Sequence, residues 1–530
     1  MKKEGMIHVG DILKKGQNII YKARSQAIGP LAPKERIQRA FAIRVQNARF
    51  WKNRALPIQR TNGDEQRFPD KIANYSKAFP HNSLGEVKLP AYRKYIRTLK
   101  SGDPEKFEKL PLGGIAKLTN PQAAYAYEMV GADSHQLALP PPPAFSSAEM
   151  AAELVEIYWM ALARDVPFSD YATDPLIAQA SRELSTLTAY QGPTLDGRVT
   201  PRCLFRETIP GSLTGPRVSQ FLLQPIPFVS TAITQRYRTT EPGSDYLTSY
   251  DDWLAVQNGD LPASSSDFDP IPRYIRNGRD LAEWVHNDRS IDGGEIACRI
   301  LLSYGDQAWD PANPYFRSRT QVGFPTFGSP HVLDFVTRAA RPALEAAWFQ
   351  KWLVHRRLRP EEYGGRIHNQ KTGAAEYPIN REILQSQALA ETFRKYGTYL
   401  LPQVYPEGCP THPSYPAGHS TFIGAMVTML KAFFNESFVI PNPVIPTRDG
   451  LSLIPYEGPP LTVGGELNKL AGNIGTGRIF AGVHFRTSNE NGMRLGEKIA
   501  IGIMRDYRKT YNEAFAGFTL TKFDGTTIRI

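Results

Sequence analysis

Three separated segments of the sequence carry cations and imidazoles at spacings that suit a single oxyanion site. In chain order, the residues concerned are Lys351, Arg359, Gly418, His419, Arg478 and His484. Permanent cations and a backbone N–H can neutralise and bind a tetrahedral or trigonal-bipyramidal oxyanion, while imidazoles can ligate it or exchange protons with it. If the fold brings these segments together, they predict phosphate or vanadate chemistry.

The first segment places Lys351 and Arg359 near the end of a predicted helix over residues 335–358. Eight residues rise about 12 Å along a helix, too far for both side chains to reach one small anion. Pro360 disfavours helical geometry at the residue before it, so we expect the chain to leave the helix at Arg359 and curl back toward Lys351. The alternative is an ordinary basic helix face, since residues 355–357 are His-Arg-Arg.

The second segment leads into a predicted apolar helix over residues 421–434. Pro413 and Pro416 stiffen its approach, and Gly418 allows the backbone to come close to a ligand. The positive end of the helix lies at the same place, where His419 could hydrogen-bond to the anion and move protons. The alternative is an ordinary proline-rich loop that ends in a Gly-His helix start.

The third segment holds Arg478 and His484 six residues apart, with Gly482 between them and a predicted helix over residues 491–507 beyond. A turn near the glycine could direct guanidinium and imidazole into one pocket, where a ring nitrogen could act as a metal-type ligand. The alternative is a surface arginine beside a histidine at a helix start. The joint order of the three segments is far more specific than any one of them.

The composition indicates a large globular protein with excess positive charge. Its 530 residues include 63 Lys+Arg and 52 Asp+Glu, giving a formal net charge of +11. Such charge suits nucleic acid, a membrane surface or small anions. Because the sequence has no long Lys/Arg run and no nucleic-acid motif, we expect small anionic ligands and no nucleic-acid partner.

Secretion and membrane signals are not evident in the sequence. No run approaches 18 apolar residues, and the segment after Met1 lacks a hydrophobic signal-peptide core. Cys203, Cys298 and Cys409 allow at most one disulfide and have no zinc-site spacing. We expect a soluble chain without a membrane partner, and its cellular location is left open.

Together the segments resemble the signature of the phosphatidic-acid-phosphatase-like superfamily, which includes vanadium-dependent haloperoxidases and acid phosphatases. That signature runs Lys…Arg-Pro, then Pro-x-Gly-His, then Arg-x5-His. The longer runs Lys-Trp-x-Val-His-Arg-Arg, Cys-Pro-Thr-His-Pro-Ser-Tyr-Pro-x-Gly-His and Gly-Val-His-Phe-Arg look like bromoperoxidases of the red-algal type and their bacterial relatives. The resemblance spans roughly residues 40–505.

This resemblance implies a role for each site residue. The residues expected to bind vanadate are Lys351, Arg359, Gly418, Arg478 and His484, with His484 as the direct ligand of vanadium. Those expected to take part in catalysis are Lys351, His419 and His484, with His419 as the acid–base residue. A halide pocket is expected beside Gln350 and His412.

The resemblance also implies a mainly α fold with two four-helix bundles per subunit. Residues 1–320 would form an N-terminal helical region with oligomerisation elements, and residues 321–530 a vanadate-binding helical-bundle core, in one integrated fold. The expected partners are hydrogen peroxide, a halide, a small organic substrate and further copies of the chain, in a homo-oligomer that could be a dodecamer. Calcium, which some relatives bind, is not assigned, because residues 305–325 lack clear calcium-loop spacing.

Two positions depart from the family's pattern. Ala417 stands where the family often has Ser, so one hydroxyl donor to the anion is missing. Ser488 stands where the superfamily often has an Asp that orients the ligand histidine. Since a nucleophilic histidine needs that carboxylate more than a metal ligand does, Ser488 favours a peroxidase over a phosphatase.

The predicted function is oxidation of bromide, and of iodide, by hydrogen peroxide to a hypohalous acid that halogenates organic substrates. Two alternatives stay open. One is a soluble acid phosphatase with His484 as nucleophile, because phosphate and vanadate are nearly isosteric. The other is a non-catalytic anion-binding assembly protein, for which Ala417 and Ser488 would be signs of decay.

Overall fold

The computed structural model describes residues 30–530, which are mostly helical, as the sequence predicts. The helices are α1 (Pro33–Lys52), α2 (Asp64–Arg67), α3 (Leu89–Ser101), α4 (Pro104–Phe107), α5 (Ala148–Ala163), α6 (Pro175–Leu184), α7 (Tyr250–Asn258), α8 (Gly278–Asn287), α9 (Asp292–Ser303), α10 (Ser329–Phe349), α11 (Pro360–Thr372), α12 (Arg381–Leu384), α13 (Gln387–Tyr396), α14 (Gly418–Phe433), α15 (Val463–Phe480) and α16 (Arg486–Tyr507). The strands form three antiparallel hairpins in loops: β1 (Ile226–Phe228) with β2 (Thr231–Ile233), β3 (Val444–Pro446) with β4 (Leu453–Pro455), and β5 (Thr519–Thr521) with β6 (Thr527–Arg529).

Helices α10, α14, α15 and α16 pack into the bundle that carries all three predicted segments. At the centre, α14 is buried on every side and lies closely against α16. Glycines permit this approach: a Cβ added at Gly496 would lie 2.0 Å from the carbonyl oxygen of Thr421, and one at Gly424 would lie 2.5 Å from that of Met493. Larger residues at these two positions would push the helices apart.

A second group of helices surrounds α5, which packs against α6, α12, α13 and α15. This helix is apolar on nearly its whole circumference, which explains why it is buried. It begins at Ser147, whose Oγ accepts a hydrogen bond of 3.2 Å from the N–H of Met150.

One hydrophobic core joins the two regions that the sequence separates at residue 320. The largest buried cluster includes Trp159 and Leu204 from the first region and Ala346 and Leu430 from the second. Neither region therefore has a core independent of the other.

The structure corrects the predicted end of the helix that carries Lys351. Helix α10 ends at Phe349 and continues as a π-helical turn, Gln350–His355, which Arg356 terminates with φ 43°. Pro360 does not end that helix but begins α11, with Arg359 as its N-cap residue. The reason is that proline lacks only an N–H that the first helical position leaves unused, and its fixed φ already suits a helix.

No helix within residues 30–530 is both long and apolar enough to cross a membrane. Cys203, Cys298 and Cys409 are buried and unpaired. The predicted absence of a signal peptide concerns residues outside the described range.

Candidate oxyanion site

The π-helical turn after α10 carries Lys351 into the protein interior. Its ammonium group is fully buried and donates to the carbonyl oxygens of Pro413, at 2.7 Å, and Ser414, at 3.1 Å. A π turn inserts one extra residue into the helical repeat and so redirects the side chains that follow. The first predicted segment thereby contacts the loop before α14.

Arg359 connects the first segment to both of the others. Its Nη1 donates to the carbonyl oxygen of Val483 at 2.7 Å and lies 3.0 Å from Nε2 of His484. Its Nη2 lies 2.9 Å from Nδ1 of His412, and its Nε donates to the carbonyl oxygen of the same residue at 2.9 Å. The curl of the chain expected at this arginine is therefore present, although it starts at Arg356.

The second segment ends at the N-terminus of α14. The first helical hydrogen bond runs from the N–H of Thr421 to the carbonyl oxygen of Ala417 at 3.0 Å, so the N–H groups of Gly418, His419 and Ser420 precede the helical ladder and form its positive end. Nε2 of His419 is buried and has no hydrogen-bond partner in the described chain. This end of the helix therefore offers N–H donors and an uncommitted imidazole nitrogen.

Gly482 produces the turn that the third segment requires. Its φ of 84° is left-handed, and its N–H bonds to the carbonyl oxygen of Ile479 at 2.8 Å, which ends α15. Arg478 lies in the last turn of α15, and His484 lies in the short link before α16. Both are buried, which excludes the surface alternative for this segment.

The charges of this site have no carboxylate partner. In the described chain, the side chains of Lys351, Arg359 and Arg478 contact carbonyl oxygens, imidazoles and the hydroxyl of Tyr405. Burial, reinforced by Arg359 and Arg478, holds the pKa of Lys351 well below its usual range. Buried cations without counter-charge are costly, so the site is built to be balanced by an anion.

The three histidines of the site are neutral because burial among cations disfavours the imidazolium form. Burial lowers the pKa of His412, His419 and His484 well below the usual value, and the neighbouring cations lower it further. Nε2 of His484 faces the Arg359 guanidinium, so that nitrogen is the acceptor and Nδ1 carries the proton. Nδ1 of His484 and Nε of Arg478 are buried without partners in the described residues.

This donor set fits vanadate. Three cations, helix N-terminal N–H groups and a neutral imidazole nitrogen can together neutralise and ligate a trianionic oxyanion. Residues 30–530 contain no group of three or more His, Cys, Asp or Glu side chains that could hold a further metal ion. Calcium therefore stays unassigned.

Gln350 does not join the other predicted site residues. Its Nε2 donates to the carbonyl oxygen of Leu137 at 3.0 Å and to Oε1 of Gln59 at 3.2 Å, and its Oε1 lies 3.1 Å from Nε2 of His355. All three partners lie outside the oxyanion site, because the helix directs consecutive side chains about 100° apart. These contacts separate Gln350 from His412, and the halide pocket stays a prediction.

Trp348 also lies at the site, although none of the three sequence motifs marks it. Its ring is 4.9 Å from the His412 ring and 5.9 Å from Nζ of Lys351, and a Cβ added at Gly418 would lie 3.2 Å from it. Trp348 lies three residues before Lys351 and so shares its helix face. This spacing could have identified Trp348 from the sequence. Gly418 therefore leaves room for this indole.

The two departures from the family's pattern meet in the structure. The N–H of Ala417 donates to the carbonyl oxygen of Ser488 at 2.9 Å, and both residues are fully buried. The Ser488 hydroxyl has no partner among the described residues. The two positions are therefore joined through their backbones.

A histidine with raised pKa lies behind Arg478. The His286 ring stacks on Tyr405 at 3.9 Å, and Tyr405 in turn contacts Nη1 of Arg478 at 3.3 Å. Burial disfavours the imidazolium, but Glu283 and Glu407 outweigh it and raise the pKa of His286 to about 9. At neutral pH this imidazolium is bonded to Glu407 at 2.7 Å.

We expect His286→Gln to remove a pH-dependent part of the stability. Because the folded-state pKa of about 9 exceeds the ordinary 6.5, the stabilisation is complete below pH 6.5 and is lost as the pH rises through about 9. Melting temperatures of both proteins should therefore differ most at pH 6 and converge toward pH 10. A difference that stays constant across this range would contradict the assignment.

Comparison with known proteins places these residues in a family. The chain is 36% identical to a vanadium-dependent bromoperoxidase of Ascophyllum nodosum, over 94% of this chain and 93% of that protein. The chain belongs to the vanadium-dependent bromoperoxidases. It is also 33% identical to the vanadium-dependent bromoperoxidase of Corallina pilulifera, over 93% of this chain and 98% of that one. The family predicted from the three segments is confirmed, and its members are enzymes.

Solved structures and a family model agree with this membership. The fold matches the homohexameric structure of the second vanadate-dependent bromoperoxidase of Ascophyllum nodosum with a TM-score of 0.90 and 29% identity, covering 99% of this chain and 94% of that one. The model of the VCPO second helical-bundle domain matches residues 331–513, a stretch that contains all three segments. The predicted helical-bundle fold of the bromoperoxidases is thereby confirmed.

Proposed function

We propose that this protein oxidises bromide, and iodide, with hydrogen peroxide in a vanadate-dependent reaction. The net reaction is Br⁻ + H₂O₂ + H⁺ → HOBr + H₂O, after which hypobromous acid halogenates an organic substrate. The observation that carries the proposal is the convergence of three buried cations on neutral imidazoles, with no carboxylate partner for these cations among residues 30–530, in a chain of the bromoperoxidase family.

Lys351, Arg359, Arg478 and the N–H of Gly418 would hold vanadate, and His484 would ligate its metal. The neutral His484 ring supports this role, since its Nε2 has a lone pair directed toward Arg359 and its Nδ1 carries the proton. When bound, vanadate supplies a Lewis-acidic centre that activates hydrogen peroxide. Hydrogen bonds within the protein fix the positions of the three cations, which provides electrostatic preorganisation.

His419 would transfer the protons. Its imidazole is neutral at pH 7 because burial and the charge of Arg478 lower its pKa, so it can accept a proton from incoming hydrogen peroxide and return it to departing water. Its unpaired Nε2 leaves that capacity uncommitted. His412 and Trp348 would flank the entering halide beside the charge of Lys351.

The decisive experiment compares two reactions of one protein. Vanadate is added to vanadate-free protein, and bromination of a phenolic dye with peroxide and bromide is assayed beside hydrolysis of a chromogenic phosphate ester. Vanadate-dependent bromination without ester hydrolysis is expected. Hydrolysis without bromination would establish the phosphatase instead, and neither activity would favour an anion-binding assembly protein.

We also propose that the protein is a homo-oligomer. The match to a homohexameric relative supports this, and so do large apolar side chains that are exposed in the N-terminal region: Ile37, Leu56, Ile58, Tyr127 and Met129. The dodecamer implied by the family resemblance stays a prediction. Light scattering coupled to size-exclusion chromatography distinguishes a monomer, a hexamer and a dodecamer.

Ala417→Ser is expected to tighten vanadate binding. Ala417 is the N-cap residue of α14, so a serine hydroxyl there would lie beside the N–H of Gly418 and could donate to an oxyanion. One hydrogen bond to a charged group contributes about 1.5 kcal/mol, or about tenfold in Kd. Vanadate dissociation constants measured at one pH test this.

The competing outcome for Ala417→Ser is steric, because Ala417 is fully buried against Ser488. An unchanged or weaker Kd with a lowered melting temperature would show that the site has adapted to alanine. Bromide turnover is measured alongside, since tighter binding of the cofactor need not raise the rate.

A further inference from the structure

A second cavity lies apart from the oxyanion site, between residues 168–172, residues 201–218 and the β3–β4 hairpin. Its volume is about 530 Å³, within the usual range for small-molecule sites. Phe168, Tyr171, Tyr456 and Ile445 give it apolar walls. A space of this size and lining suits an organic molecule rather than a small inorganic ion.

The residues that line the cavity carry an excess of positive charge. Four arginines line it, namely Arg202, Arg206, Arg217 and Arg276, and none of its lining residues in the described chain is Asp or Glu. Arg276 is paired with Asp280. The three others have no such pairing within residues 30–530, so the cavity is electropositive as well as apolar.

Arg206 is the clearest case of a buried positive charge in this cavity, since its residue is only 7% exposed. Its Nη1 and Nη2 donate to the carbonyl oxygens of Gly215, at 3.2 Å, and Pro216, at 3.1 Å. Burial, together with Arg217 and Arg202, lowers its pKa to about 9. An anion in the cavity would relieve both the desolvation and the repulsion that cause this shift.

Arg217 is held as a flat, rigid surface in the same wall. Its guanidinium lies 4.1 Å from the centre of the Tyr171 ring and 5.9 Å from that of Phe168, and its Nη1 donates to the carbonyl oxygen of Leu204 at 2.7 Å. A guanidinium fixed in this way loses little entropy when it binds a carboxylate and presents a planar face to an aromatic ring.

Helix α15 separates this cavity from the oxyanion site. An adjoining recess shares Phe168, Arg206 and Arg217 with the cavity and is also lined by Glu207 and Lys469. Glu207 contacts Nη1 of Arg486 at 3.4 Å and so does not pair with the cavity arginines. The α15 wall of the recess includes Thr476 and Phe480. These two α15 residues are four positions apart and so share a helix face, whereas Arg478 is about 200° away around the helix axis. A ligand in the cavity would therefore not compete with an oxyanion for Arg478.

We propose that this cavity binds an organic carboxylate with a flat apolar body. Its carboxylate would pair with Arg206 and Arg202, and its body would lie against the aromatic walls and Arg217. The apolar lining disfavours free phosphate or a halide, which would leave those walls unused. The proposal does not depend on the vanadate chemistry of the other site.

Calorimetric titration of the vanadate-loaded oligomer with 2-naphthoate and with neutral 2-naphthamide tests the proposal. The two probes share shape and apolar area but differ in charge, and without peroxide and bromide neither is halogenated. We expect naphthoate to bind at least tenfold more tightly than naphthamide. Arg206→Gln should weaken naphthoate about tenfold and Arg202→Gln about threefold, whereas Arg319→Gln, at an exposed arginine outside the cavity, should bind like the parent protein.

Three outcomes would overturn the proposal: equal affinity for the two probes, no binding of naphthoate at millimolar concentration, or Arg202→Gln and Arg206→Gln variants that bind like Arg319→Gln. Release of vanadate by naphthoate would also overturn it, because it would place the probe in the oxyanion site. If Arg206→Gln does not fold, the proposal is tested by Arg202→Gln, at an exposed position, and by the comparison of the two probes.

Discussion

Replacing His484 with alanine is expected to abolish tight vanadate binding and bromide oxidation together. His484 is buried, and its acceptor nitrogen Nε2 lies 3.0 Å from Nη1 of Arg359. Alanine removes the proposed metal ligand but leaves all three cations, so electrostatic attraction alone would hold vanadate weakly. Equilibrium dialysis of vanadate and the dye-bromination assay measure the two losses.

The matched control for this variant is His368→Ala, which removes a partly buried histidine whose Nδ1 bonds to Thr398, outside the oxyanion site. It should keep full vanadium content. Circular dichroism establishes that both variants fold, and added imidazole should partly restore vanadate binding to His484→Ala alone. A folded His484→Ala protein with normal vanadium content would remove His484 as the ligand.

Replacing His419 with alanine is expected to separate binding from turnover. Vanadate binding should persist, because the three cations, the Gly418 N–H and His484 are untouched. Bromide oxidation should fall by about 10²–10⁴, the usual contribution of a general acid–base group. The measurements are the vanadate dissociation constant and kcat for bromide across a range of pH.

The pH profile makes the His419 result specific. A proton-transfer role predicts that the variant loses a titrating limb of the kcat profile, whereas a structural role would lower kcat equally at every pH. Activity within a few-fold of the parent protein would mean that another group carries the proton. Loss of vanadate in the same variant would instead move His419 into the binding set.

The turns around the candidate site residues were predictable where the local chemistry is distinctive. Gly482 adopts the left-handed φ that ends α15, a backbone condition that few other residues meet, and Gly418 begins α14. The six predicted residues therefore sit at helix ends and turns that short stretches of sequence specify. Mostly helical structure follows similarly from apolar periodicity within single segments.

Errors occurred where a residue suits two local structures or where side-chain direction depends on distant packing. Pro360 was expected to end a helix, yet a left-handed Arg356 ends it and Pro360 begins the next. Gln350 neighbours Lys351 in sequence but bonds to Leu137, 213 positions away. Trp348 was missed because a tryptophan in an apolar helix is ordinarily a core residue, and only its contacts with His412 and Lys351 distinguish it.

The sequence by itself determined the mainly α class, the family and the chain order of the candidate site residues. Tertiary structure decided that the cations are buried without carboxylates, that the site histidines are neutral, that Ala417 bonds to Ser488, and that an arginine-lined cavity lies across α15. The physical reason is the distance along the chain over which each property is determined. Backbone conformation is set by a few neighbouring residues, whereas burial and charge pairing depend on contacts such as that between Arg359 and His484, which are 125 positions apart.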